Sequence, residues 1–409
     1  MKATIVVGAN YGDEGKGLIT DYFARKYINS IVVRHNGGSQ AAHTVVVDKK
    51  RHVFHHIGSG TLVGRPTYLS SHFLSDPIRF LAEQKKLNKN FRVSPKIYVD
   101  INSEIVTPWD SILNQICANG DTCGNGINET LTRIEKHPEL RLTVNMNSNE
   151  AFGIIEKITS YFSTEITARL NKKMIKQDKE LFTIAISSIF MKRFLFDFCE
   201  FKNQINMVAS LKNLLFRQKH IDHVIFEGAQ GLMLNQDHKN FPFVTRSNTG
   251  IKNAIEMCKK CNITDIEVVY VTRSYMTRHG AGPFPHEVTT GIIDKTNIEN
   301  IYQGAMRFAK LQPYLICEEI LKDITPYNNV RVSLAMTCMD QIYRLSYINN
   351  HGKTRFTKRK RDIAFLMTCL TNNLFDRFMF SYGPEAKDII SKKNNTRYFQ
   401  NFKTRRQNE

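Results

Sequence analysis

Gly8-Ala9-Asn10-Tyr11-Gly12-Asp13-Glu14-Gly15-Lys16-Gly17 is the stretch on which the fold turns. A short apolar run, Thr4 to Val7, precedes it, and a helical pattern from about Leu18 to Lys26 follows. Strand, glycine-rich turn and helix in this order form a phosphate-binding α/β unit. The turn and the helix N-terminus aim backbone N–H groups at one point, and Lys16 adds a point charge there.

The turn does not match GxxxxGK followed by Ser or Thr, because Gly17 follows Lys16 and the hydroxyl that would hold Mg²⁺ is missing. A Mg²⁺ ligand must then come from elsewhere, and Asp13 is the nearest hard oxygen donor.

Working outward, further apolar runs with strand character are Ile31-Val32-Val33, Val224-Ile225-Phe226, Val268 to Val271 and Val330 to Met336. They end in Arg34-His35-Asn36-Gly37-Gly38, Glu227-Gly228-Ala229-Gln230-Gly231, Thr272-Arg273 and Thr337-Cys338-Met339-Asp340. Ligands of open α/β sheets gather at the carboxyl ends of the strands, so these four ends point to one shared site. The expected fold class is α/β, a large central, mostly parallel sheet with helices around it. Asn149 to Phe162 and Leu181 to Gln218 read as helices, within a helical insertion of a single domain spanning 1–409, at about 149–218.

With 42% hydrophobic and 23% charged residues in 409, the chain has ample material for a core. Disorder over most of the chain, a collagenous chain and a disulfide-stapled mini-protein are excluded. The longest apolar-leaning run, Leu181 to Met191, is too short to span a bilayer, which needs about 20 residues. Met1-Lys2-Ala3 runs straight into a strand with no signal-peptide pattern, so the expected location is the cytoplasm. Cys258-x-x-Cys261 has no second pair to complete a zinc site and reads as reduced thiols. The net charge is +19, and Lys353 to Glu409 holds fourteen Lys and Arg against five Asp and Glu. This reads as a solvated face with a basic tail at about 391–409, rather than a nucleic-acid patch.

A second motif, Gly37-Gly38-Ser39-Gln40-Ala41-Ala42-His43-Thr44, places an imidazole one βα unit after the first loop, near the expected phosphates. With it come Phe226 to Gly231, Val244-Thr245-x-Ser247-Asn248-Thr249 and Thr277-Arg278-x-Gly280-Ala281-Gly282-Pro283, in that order. Together these motifs resemble the adenylosuccinate synthetase family, from Thr4 to about Pro384.

The resemblance implies a P-loop-like fold, a homodimer, and a two-step C–N ligation. A carboxylate takes the N1 proton of a 6-oxopurine nucleotide while a γ-phosphoryl group moves to O6, and the amine of L-aspartate then displaces that phosphate at C6. By resemblance Asp13 is the general base and a Mg²⁺ ligand, His43 polarises the transferring group, and the backbone carbonyl of Ala42 is the second metal contact. The triphosphate falls to Gly12, Asp13, Glu14, Gly15, Lys16, Gly17, Ala42, His43, Thr44, Arg307, Cys338, Met339, Asp340, Ser381 and Gly383. The purine monophosphate falls to Asp13, Ser39, Gln40, Thr122, Cys123, Gly124, Gln230 and Thr245, with Arg133 reaching across the dimer interface. Aspartate falls to Gln303, Gly304 and Arg307.

Departures from the family pattern bear on the substrates. Gly304 is followed by Ala305-Met306-Arg307, so an arginine that would meet a ribose hydroxyl is missing. The guanine-reading Thr-Lys-x-Asp motif is here Thr337-Cys338-Met339-Asp340. Thr277-Arg278-His279-Gly280-Ala281-Gly282-Pro283, Tyr302-Gln303-Gly304 and Cys338-Met339-Asp340-Gln341 resemble the divergent phage branch, which makes 2-amino-2′-deoxyadenylosuccinate from dGMP, aspartate and ATP for diaminopurine-containing DNA, and a phage-encoded chain would act in the host cytoplasm. Asp13 points the other way, since many members of that branch carry Ser there. The expected acceptor is dGMP, with IMP as the alternative, and the expected donor is ATP or dATP, with GTP as the alternative. A basic nucleotide- or nucleic-acid-binding protein without catalysis is the reading from a different class.

Overall fold

The computed structural model describes residues 1–117, 122–169, 176–292, 294, 304–358 and 360–394. Ten strands form one sheet: β1 (Lys2–Gly8), β2 (Ser30–Arg34), β3 (Thr67–Leu69), β4 (Ile97–Asp100), β5 (Asn206–Val208), β6 (His223–Gly231), β7 (Asp265–Arg273), β8 (Arg331–Thr337), β9 (Phe375–Ser381) and β10 (Ile389–Lys393). Their spatial order is β10-β9-β8-β7-β1-β6-β2-β3-β4-β5. Every neighbouring pair is parallel except β9 with β10.

The continuous apolar runs arise because central parallel strands are covered on both faces. Alternate side chains of β1 divide accordingly: Ala3, Ile5 and Val7 enter one core, while Val6 enters another. Val224 and Phe226 pair off against Ile225 in the same way, as do Val268 and Tyr270 against Val269 and Val271. Helix α1 (Lys16–Lys26) closes the smaller face with Leu18, Ile19, Phe23 and Ala24. A third core lies under β3, β4 and the helices Pro77–Phe91, Pro108–Cys117, Ser148–Arg169 and Ser188–Asn203.

The stretch 149–218 differs from two plain helices. A helix over Lys176–Ala185 ends before Ser187, whose hydroxyl accepts from Phe190 N and starts the next helix. That helix ends at Asn203, and the chain then supplies β5 at the sheet edge and a short helix, Leu211–Arg217. The segment is therefore tied into the sheet. Among the described residues no helix is long and apolar enough to cross a membrane.

Five consecutive strands in the sheet, β8-β7-β1-β6-β2, carry the motif-bearing ends. Thr337 sits opposite Arg273, Gly8 opposite Gly231, and Arg34 opposite Glu227, so the chemistry-bearing residues emerge along one edge.

Candidate active site

The loop after β1 folds around one of its own acids. Gly12, Asp13 and Gly15 have φ of 93°, 61° and 94°, the left-handed region open to glycine and accessible to Asp. The Glu14 carboxylate accepts from Asn10 N at 3.1 Å and Gly12 N at 2.8 Å, and pairs with Lys16 Nζ at 2.7 Å. Glu14 is thus an internal brace rather than a group facing a ligand. A Cβ on Gly8 would lie 2.3 Å from its Oε2, which accounts for that glycine. From outside, Thr337 Oγ1 donates to the Glu14 carbonyl at 2.6 Å, and Arg273 Nε donates to the Asp13 carbonyl at 2.5 Å.

The first turn of α1 has no side-chain cap at Gly15, leaving backbone N–H groups at its N-terminus for an anion. A Cβ on Gly17 would lie 2.9 Å from His43 Cβ and 3.1 Å from Ser59 Oγ. The close approach of these neighbours is the physical reason no Ser or Thr stands there.

Gly12, Asp13, Gly15, Lys16, Gly17 and His43 line a cleft of about 2200 Å³. A pocket for one small ligand holds about 300–1,000 Å³, so the cleft has room for several ligands side by side. Asp13 is among the lining residues. Burial pushes its carboxyl above the usual range, while Arg273 and Lys16 pull the other way.

His43 faces the cleft with its Nδ1 2.8 Å from Glu227 Oε1. Burial lowers the imidazole to about 4, against the opposing pull of Glu227. For Glu227 burial alone would raise the carboxyl, but His43, Arg34 and Ser59 outweigh it and hold it at about 2. Ser59 donates to Glu227 through its hydroxyl and, at 3.2 Å, through its N–H. An ionised Glu227 fixes Nδ1 as the protonated nitrogen and leaves Nε2 for the cleft.

The cleft also collects Ser39, Gln40, Ala42, Thr44, Thr122, Cys123, Gln230, Thr245, Cys338, Asp340 and Gly383. The Ser39 hydroxyl, both ends of the Gln40 amide and the Thr44 hydroxyl are buried with no partner among the described residues. Thr122 Oγ1 donates to Asn114 Oδ1 at 2.7 Å and accepts from Gly124 N at 3.3 Å, shaping a polar turn.

Several expectations are corrected. Arg133 cannot reach a partner subunit. It is fully buried, its Nε and Nη2 bind Asp110 at 2.9 and 2.8 Å, and its remaining donors reach the carbonyls of Leu140 and Ile105. Met339 packs into the core beneath the sheet rather than against a base. Arg307 does not line the cleft, because its guanidinium pairs with Glu287 at 2.6 Å and donates to the carbonyls of Gly280 and Gly282. Ser381 is buried, with its hydroxyl on the Gly383 carbonyl at 2.6 Å. The Gly304 carbonyl accepts from His279 Nε2 at 2.9 Å. Gln303 and most of the basic tail, 395–409, lie outside the described residues.

The sequence reading quoted Glu227 and Arg273 only as strand-end residues and gave neither a role. Each is a charged residue closing an apolar parallel strand, a place where burial demands a partner. Arg278 was quoted only within its motif. It lies 4.7 Å from the Tyr11 ring centroid and holds the carbonyls of Ala281, Pro283 and Phe243.

The adenylosuccinate synthetase family profile matches residues 5–305. The chain belongs to the adenylosuccinate synthetase family. Members of this family are C–N-forming ligases. An adenylosuccinate synthetase from Desulfotalea psychrophila is 32% identical over 293 residues, 70% of this chain and 65% of the relative, so the match spans just under two thirds of that protein. One from Lawsonia intracellularis is 28% identical over 362 residues, covering 85% and 80%. Among solved structures, the fully ligated adenylosuccinate synthetase from Plasmodium falciparum superposes with a TM-score of 0.73 at 17% identity, covering 95% of this chain and 99% of that one. Cyanophage S-2L succinoaminodeoxyadenylate synthetase, bound to dGMP and dATP as an energy donor, superposes with a TM-score of 0.58 at 15% identity, covering 95% of each. At these identities the two structures speak for the shared fold.

Proposed function

We propose that this family member joins L-aspartate to C6 of dGMP with hydrolysis of ATP or dATP, giving 2-amino-2′-deoxyadenylosuccinate for diaminopurine-containing DNA, as a cytoplasmic homodimer. One observation carries the ligase reading: the Asp13 carboxylate, the His43–Glu227 pair and the uncapped N-terminus of α1 open into one cleft.

In the first step Asp13 accepts the N1 proton of the purine, O6 attacks the γ-phosphorus, and the nucleoside diphosphate leaves. His43, oriented by Glu227 and protonated at Nε2 under the phosphates, donates to the charge that builds on the transferring oxygens. The α1 N-terminus and Lys16 hold the phosphates of the donor. In the second step the aspartate amine adds at C6 and inorganic phosphate departs, which is feasible because phosphorylation has turned a poor leaving group into a good one.

The site fits Mg²⁺ only as a shared ligand set. Among the described residues no group of three or more His, Cys, Asp or Glu side chains could hold a metal, so Asp13 and the Ala42 carbonyl would be completed by phosphate oxygens and water. When bound, the ion supplies charge neutralisation to the phosphoryl group.

For dGMP the supporting features are the unpartnered Ser39 and Gln40 groups, able to pair with a purine 2-amino group, and Ala305 at the loop position where the family pattern sets an arginine against a ribose hydroxyl. The S-2L enzyme, with this fold, binds dGMP. An IMP-using synthetase is the second reading, favoured by the retained Asp13 and by the names of the sequence relatives. On the donor side, Cys338 lacks the stem a lysine would lay over guanine, while Asp340 remains at the cleft. A half-dismantled base site should be lax. Phosphate release should therefore require nucleoside monophosphate, aspartate and triphosphate together, with ATP serving at least as well as GTP. Release with GTP alone among triphosphates, or without aspartate, would speak against this assignment.

A further inference from the structure

With Arg133 locked inside the protein, the phosphate of the acceptor nucleotide needs another cation. We propose that Arg79 supplies it from the same chain, as the residue that binds the 5′-phosphate beside Thr122 and Cys123. This rests on the ligase reading above.

Arg79 lines the same cleft as Thr122, Cys123 and Asn125. Its charge reaches the Cys123 thiol, where it opposes the upward push of burial. Asp76 caps the helix Pro77–Phe91 by accepting from Arg79 N at 3.1 Å, and the same carboxylate lies 3.2 Å from Arg79 Nε. That contact holds the near edge of the guanidinium. No other protein acceptor for it is found among the described residues, and its side chain stays 41% exposed.

The position is also costly for a cation. Arg79 stands in the first helical turn, where the macrodipole favours negative charge. A phosphate dianion there would be met by the guanidinium and by the dipole at once. Arg246, which also lines the cleft, is engaged by Glu135 and by Thr132 Oγ1 at 2.8 Å. Lys86, seven residues beyond Arg79 and so on the same helix face, also lines the cleft and extends the positive wall.

The test is steady-state kinetics of Arg79→Gln and Arg79→Lys, with the melting temperature as a check of folding. Arg79→Gln should raise KM for dGMP about 10- to 100-fold, the loss expected for a hydrogen bond to a charged group, with kcat and the ATP KM within about threefold of the parent. Arg79→Lys should recover part of the loss. In calorimetry, 2′-deoxyguanosine, which has no phosphate, should bind parent and variant equally. A shift in the dGMP KM below about threefold, or an equal rise in the ATP KM, overturns the Arg79 assignment and leaves the ligase reading standing. A parent protein that makes no product from dGMP, GMP, IMP or dIMP overturns both.

Discussion

Asp13→Asn is expected to stop ligation while leaving the melting temperature close to that of the parent. Asn is the right probe because residue 13 has a φ of 61°, a conformation Asn enters readily, whereas Ala would add backbone strain to the loss of the carboxylate. The loop should keep its shape, since it is held by the Glu14 brace, by Thr337 and by Arg273 acting on the Asp13 carbonyl. What disappears is the only carboxylate assigned to take the purine N1 proton. Removing a general base costs about 10²–10⁴-fold. Single-turnover formation of the succinyl product measures it, and a rate within tenfold of the parent would remove Asp13 from that role.

Glu227→Gln should lower kcat by about 10²–10⁴-fold, the range for a positioned acid–base group, with the triphosphate KM within about threefold. The carboxamide has nearly the same shape, so the loss reads the charge. Without it, nothing fixes the His43 tautomer, and no anion stabilises the ring when it protonates under the phosphates. Arg34, 4.0 Å from Glu227 and fully buried, also loses its counter-charge, so the melting temperature should fall. Because both residues act as one unit, Glu227→Gln combined with His43→Ala should be no slower than His43→Ala alone. Additive losses would show that the two residues work independently.

The fold was legible where the sequence carried a physical demand. The runs Thr4–Val7, Val224–Phe226 and Val268–Val271 are apolar throughout because both faces of a central parallel strand are buried, and each became a central strand. Edge strands gave less. Asn206–Val208 has three residues, two of them exposed, and its neighbours are helical, so no period announces it. Ile389–Lys393 is largely exposed and pairs on one side only.

The site divides in the same way. Glycines and an acid in a tight turn mark the phosphate loop, because few other residues adopt its dihedral angles. Arg133 misled because charge alone cannot say whether an arginine faces solvent. Its partner, Asp110, lies 23 residues away and is met only in three dimensions. Arg79 was passed over for the converse reason, since it belongs to no motif and acquires meaning only from the turn at Thr122 across the cleft.

The central claim is that the acceptor is a 2-aminopurine deoxynucleotide. If the pocket closes around Ala305 and Met306, a ribonucleotide buries an unpaired 2′-hydroxyl at a cost of about 1–3 kcal/mol, which is roughly five- to 150-fold in kcat/KM. IMP also leaves Ser39 and Gln40 without the amino group they would pair with. The decisive measurement is kcat/KM for dGMP against IMP at saturating aspartate and ATP, with the product identified by mass. A preference for dGMP of tenfold or more, yielding 2-amino-2′-deoxyadenylosuccinate, is the expected result; a preference for IMP of tenfold or more would make this an ordinary adenylosuccinate synthetase and contradict the claim.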